Sequence, residues 1–202
     1  MNNQNEIIEK FCELCDKTYQ VWITKRTICD DNLKLEGLND SKCVNFLNYI
    51  NDILQEYMLL QIIKLHDPEK QFNHENLTLE YIVNHIDKWE PLREPSPKES
   101  FEKIAKNIDD NISDLKELKE DLDDLFIKQI KPARMKILCH NDLETNLENS
   151  NLGEFKENSD KTYFIKLQNF VNVLHESFIG GQYPFFSIAQ NEAEAFLACL
   201  MK

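Results

Sequence analysis

Glycine and proline are scarce in this 202-residue chain, at four and six residues. A many-stranded protein draws on both for its turns, so the shortage argues against a sandwich or barrel. Positive charge is scarce as well: 23 Lys and Arg stand against 36 Asp and Glu, a formal net charge of −13. Sequence-independent affinity for nucleic acid comes from cations that neutralise phosphates, so a broad grip on DNA is not expected and any RNA contact must be local. No apolar run approaches the roughly 20 residues that span a bilayer. The opening MNNQNEIIEKF also lacks the basic and apolar regions of a signal peptide. The expectation is a cytoplasmic protein without membrane contact, whose six cysteines stay reduced.

What is present points to helix. Hydrophobic residues make up 42% of the chain, enough for one substantial core, and the length favours a single domain over residues 1–202. From Glu6 to about Asp30, Ile7, Ile8, Phe11, Leu14, Cys15, Val21, Trp22 and Ile28 fall at the three-and-four spacing of one helical face. Cys12-x-x-Cys15 lies inside that helix, and because no second Cys/His pair follows at zinc spacing, core or surface thiols are the better reading. A second helix runs from the Asn39-Asp40-Ser41 caps to Leu65. Its apolar residues cover more than one stripe, as in a helix buried centrally or shared with a partner chain. Pro68 stops it, and His66 reads as a dipole-favoured residue at its C-terminus.

Glu69–Asn76 reads as a polar loop and Glu80–Asp87 as a short helix, with His74 and His85 incidental. Ser96-Pro97-Lys98-Glu99 supplies an N-cap, a first-turn proline and a third-position glutamate, which predicts a long amphipathic helix to about Ile127. After an Asn-rich loop, Ser159 or Asp160 caps a helix ending at the Gly180-Gly181 pair, and a last helix spans about Ser187–Met201. The predicted class is all-α, an antiparallel bundle of long helices with an extra C-terminal helix.

One stretch departs from this acidic background. Leu125 to Asn141 is seventeen residues without an acid, and four of them are basic: Lys128, Lys131, Arg134 and Lys136. Arginine is rare here, occurring only as Arg26, Arg93 and Arg134, and its planar guanidinium suits oxyanions better than lysine does. Pro132 kinks the chain or restarts a helix, with Arg134, Lys136 and His140 nearer a surface or crevice.

Arg134 and His140 form an R-x5-H pair, and the surrounding RMKILCHND resembles the signature of the HEPN superfamily, in its abortive-infection AbiU-like branch. Leu65-His66-Asp67-Pro68, Asn76-Leu77-Thr78-Leu79 and the tail from Phe170 to Phe185 resemble that branch too, so the likeness covers most of the chain. It implies a HEPN-like helical bundle, a homodimer in which motifs from two protomers meet in a cleft, and cleavage of RNA without metal or other cofactor. The catalytic pair would be Arg134 and His140, with Lys128, Lys131, Lys136 and Asn141 on RNA phosphate. Phage defence or a toxin role is implied as well, restrained by an antitoxin that could be nucleotidyltransferase-like. Helix geometry independently favours the dimer: six residues on a straight helix separate Arg134 and His140 by roughly 9 Å and ~120°. Active members often place a polar residue directly after the arginine, where this chain has Met135. A non-catalytic HEPN module binding RNA, nucleotide or a protein partner is therefore the alternative.

Overall fold

The computed structural model describes residues 3–30, 44–91, 101–131, 155, 158–185 and 188–200. Its elements are α1 (Asn3–Lys25), a π-helical turn (Arg26–Asp30), α2 (Val44–Leu65), a ribbon of β1 (Lys70–Gln71) and β2 (His74–Glu75), α3 (Leu79–His85), α4 (Phe101–Leu125), a second π-helical turn (Phe126–Ile130), α5 (Ser159–Phe178) and α6 (Ile188–Leu200). The all-α class expected from glycine and proline scarcity holds, with the two-residue strands as its one β feature among the described residues.

The chain divides into two compact units. The first comprises Met1–Cys15 and Ile63–Pro184. Its frame is the pair α4 and α5. Contacts run in reverse order along them, from Gln129 with Ser159, through Asp121 with Lys166, to Asn111 with Ser177, so the two helices are antiparallel. Each contributes one apolar stripe: Leu115 and Leu122 from α4, and Leu167, Phe170, Val171 and Leu174 from α5, all without solvent exposure. Complete burial of side chains of this size stabilises by about 1.5–3 kcal/mol apiece. The start of α1 joins this core through Phe11, which meets Phe170 edge-to-face at 5.9 Å. Gln4 and the Glu90 backbone exchange two hydrogen bonds, of 2.8 and 3.0 Å.

The segment before α3 differs from the expected loop. Lys70 pairs with Glu75 and Gln71 with His74 in an antiparallel ribbon, turned at Phe72 with φ 56°. All four strand residues are exposed, so no hydrophobic alternation announces them. Thr78 then caps α3, its hydroxyl accepting from the Tyr81 N–H at 3.2 Å. Gly180 and Gly181, at φ 105° and 72°, turn the chain after α5, a conformation that a Cβ atom resists.

The second unit comprises Asp16–Ile62 and Phe185–Lys202. Among its described residues, Ile28, Leu47, Ala193 and Leu197 form one buried cluster, with Cys29 packed against them. Tyr19 sits between Trp22 and Phe185, 5.5 Å from each ring, and the Arg26 guanidinium lies 5.6 Å from the Trp22 centroid. The expected single helix Glu6–Asp30 thus ends in a π turn rather than a continuous α-helix. Cys12 and Cys15 are buried, and burial pushes the Cys12 thiol up to about 12, which suits a core thiol and not a redox pair.

Candidate functional site

The basic segment begins where α4 gives way to the π turn. Phe126 and Ile130 are buried and hold that turn to the first unit, and the Lys131 N–H donates to the Phe126 carbonyl, closing the wider ring of a π turn. Between these anchors Lys128 is exposed, and Lys131 is exposed just past them. Lys128 reaches back one turn to Asp124, Nζ to Oδ2 at 2.5 Å. Both partners are about two-thirds exposed, so the pair is worth little and Lys128 can be turned to a phosphate at small cost. Pro132, Arg134, Met135, Lys136, His140 and Asn141 lie outside the described residues. Of the six expected site residues, therefore, the structure places Lys128 and Lys131, exposed on either side of one buried anchor.

Directly beneath this turn sits a constellation that the sequence did not announce. The His66 ring stacks on Phe126, with centroids 4.3 Å apart and planes parallel. His66 Nδ1 lies 2.8 Å from Asp123 Oδ1, and Nε2 lies 3.0 Å from the Tyr163 hydroxyl. A carboxylate only accepts, so Nδ1 carries the proton; Nε2 then accepts from the tyrosine O–H. Lys119 Nζ holds the other Asp123 oxygen at 2.6 Å. Burial pushes the imidazole below its ordinary value against the opposing pull of Asp123. For Asp123 burial pushes up, but the hydrogen bonds from His66 and Lys119 together hold the carboxyl below its usual range. Burial also holds the Tyr163 phenol well above 10.

Carboxylate, imidazole and hydroxyl thus stand in one chain, as in a nucleophilic triad, but the imidazole and the hydroxyl are shut away from solvent. The His66 side chain is 1% exposed and Tyr163 is fully buried, so no reactant reaches either proton-bearing atom. The arrangement pins three segments, the end of α2, α4 and α5, by satisfied polar contacts. The expectation that His66 acts at its own helix terminus is corrected here: only its backbone N–H bonds within the helix end, to the Ile63 carbonyl at 3.1 Å. Nothing in sequence spacing links residues 66, 123 and 163. His85 and His175 are likewise committed locally, to the Tyr81 and Gly181 carbonyls.

A groove of about 450 Å³ opens between α4 and α5, lined by Asp114, Glu117 and Asp121 on one side and Asn172 and Glu176 on the other. Its sign is wrong for phosphate. Among the described residues no group of three His, Cys, Asp or Glu side chains is disposed as a metal site, and no helix is long and apolar enough to cross a membrane.

The antiparallel pair of long helices makes this an all-α protein, and the basic R-x5-H stretch that follows α4 in the chain lies outside the described residues. The chain belongs to the AbiU2 family of HEPN proteins, whose family model matches residues 4–196. No curated protein and no solved structure matches it.

Proposed function

We propose that this chain is a metal-independent endoribonuclease of the HEPN type, acting in phage defence or as the toxin of a toxin–antitoxin pair. The observation that carries the reading is membership of the AbiU2 family over residues 4–196, a span that includes the R-x5-H pair Arg134 and His140. Two protomers supply two copies of the pair to one cleft. His140 takes the proton from a ribose 2′-hydroxyl, whose oxygen attacks the adjacent phosphorus, and the bond to the 5′-oxygen breaks as that oxygen gains a proton. Arg134 stabilises the charge on the pentacoordinate phosphorus. The products are a 2′,3′-cyclic phosphate and a 5′-hydroxyl. Lys128, Lys131, Lys136 and Asn141 bind the flanking phosphates, and the exposure of Lys128 and Lys131 supports that role. The acid-free run is the one place where a chain of net charge −13 draws RNA in.

Purified protein should cleave a panel of tRNA and mRNA, and His140→Ala should slow cleavage by about 10²–10⁴-fold. Expression of the wild type should arrest growth, with an antitoxin of nucleotidyltransferase-like fold relieving the arrest. Met135, in place of the polar residue, favours the second reading of a non-catalytic module that binds RNA, nucleotide or a protein. Equal growth and equal RNA survival with wild type, Arg134→Ala and His140→Ala decide for that reading.

A further inference from the structure

Helix α4 passes into its π turn between Leu125 and Phe126, and a side chain from the end of α2 holds both sides of that junction. Asp123 and Phe126 are three residues apart, so they share one helical face. His66 meets both: Nδ1 donates to Asp123 Oδ1 at 2.8 Å, and the ring lies parallel on Phe126 with centroids 4.3 Å apart. Its other nitrogen accepts from the Tyr163 hydroxyl of α5 at 3.0 Å. Farther along the turn, the Ser159 hydroxyl at the start of α5 donates to Gln129 Oε1 at 2.5 Å, and Ile130 is fully buried. Lys128 stands exposed between these holds, and Lys131 exposed just past them.

A π turn carries one residue more than an α turn, and such turns gather at functional sites. In a continuous helix the extra residue can be taken up one turn earlier or later unless contacts on both sides fix it. Imidazole is suited to fixing it. A phenylalanine ring can stack on Phe126 but makes no hydrogen bond to Asp123 or Tyr163, and an aliphatic amide can make both bonds but not the stack. The neutral imidazole has a face, a donor and an acceptor in one rigid plane. The His66 side chain is 1% exposed, so water competes for neither bond. Packing alone is served by an apolar residue, because the desolvation of a buried polar ring largely offsets what its hydrogen bonds return. What a fully satisfied buried network adds is one fixed arrangement.

We infer that His66 is the positioning residue of the basic segment: through Asp123 and Phe126 it fixes the π turn that presents Lys128 and Lys131 to RNA phosphate. It touches no substrate and acts only through the turn. The inference deepens the proposed function and rests on that reading only for what the two lysines bind. The test compares the full chain as wild type, His66→Phe, His66→Gln and Leu174→Ala. His66→Phe keeps a ring for Phe126 and loses both hydrogen bonds, whereas His66→Gln keeps a donor and an acceptor. Leu174→Ala opens a cavity in the buried stripe of α5, about 16 Å along the helix from Tyr163. In hydrogen exchange read by mass spectrometry, residues 126–131 should exchange at least about tenfold faster in His66→Phe, and less than about threefold faster in the other two. Affinity for single-stranded RNA, read by fluorescence anisotropy, should fall about 5–10-fold in His66→Phe and by less than about twofold in the others. Equal exchange of the turn in His66→Phe and Leu174→Ala overturns the proposal and leaves His66 a core residue. So does a loosened turn with unchanged RNA affinity, and so does a wild type that binds no RNA. Should His66→Phe not fold, Tyr163→Phe, which removes a single hydroxyl, must loosen the turn and weaken RNA binding in the same order, or the proposal fails. If the affinities follow the expected pattern while wild type and His140→Ala leave RNA equally intact, the positioning role stands and the ribonuclease reading falls.

Discussion

Helices α2 and α4 are the same kind of object in sequence and opposite in structure. Both are long, 22 and 25 residues, and both carry leucine and isoleucine at helical spacing. In α4 the apolar residues collect on one stripe, Leu115 and Leu122 are fully buried against α5, and the other face is acidic. In α2 they occupy two faces, and the chain's described residues cover one. Periodicity therefore counts apolar faces; it does not say who covers them. A helix with two such faces buries one, and among the described residues the other, with Phe46 and Tyr49, is left exposed.

Mutations on the two helices sharpen the contrast. Leu122→Ala removes a fully buried side chain from the α4 stripe and should lower unfolding free energy by about 2–5 kcal/mol in urea titration. A loss below ~1 kcal/mol would mean that α4 is not the better-packed helix. Next in size, His66→Ala strips a partner from the Asp123 carboxylate and from the Tyr163 hydroxyl, with an expected cost of about 2–3 kcal/mol.

The same residue predicts a pH dependence. The folded imidazole lies below the ordinary 6.5, so between that value and its folded value the unfolded chain binds more protons. Stability is then complete above 6.5 and falls as the pH drops below it, by at most about 1.4 kcal/mol per unit. The Asp123 contribution has the same sign but is lost lower, as the pH falls from 3.8 through its depressed folded value. Urea midpoints from about pH 7.5 to 5.5 should show the first slope in wild type and not in His66→Ala. The smallest effect belongs to α2: Tyr49→Ser, on its exposed face, should change stability by less than about 0.5 kcal/mol. A cost matching that of Leu122→Ala would erase the distinction between the helices.

Much of this architecture is legible in the sequence because it is local. The stripes of α1, α4 and α5 follow from three-and-four spacing, the stop after Leu65 from Pro68, and the family from RMKILCHND with the Phe170–Phe185 tail. Features that depend on distant residues are not legible there. The ribbon at Lys70–Glu75 is exposed throughout, and its supports are Glu80 and Asn84, which hold Glu69 from the following helix. His66 reads as a terminus residue because its partners are 57 and 97 positions away. At the candidate site, the charge pattern points to Lys128 and Lys131, which are exposed, while Arg134, Lys136, His140 and Asn141 lie outside the described residues.

The π turn at Phe126–Ile130 acts on phase as well as on anchoring. One α-helical residue advances the chain by about 100°, so an extra residue in a turn rotates the next residues by that amount relative to the stripe before it. Lys131, the first residue past the turn, therefore does not continue the heptad count that buries Leu115 and Leu122. Deleting the exposed Ile127 would restore an unbroken α count and swing the start of the basic segment to another side of the helix, without altering a single charge.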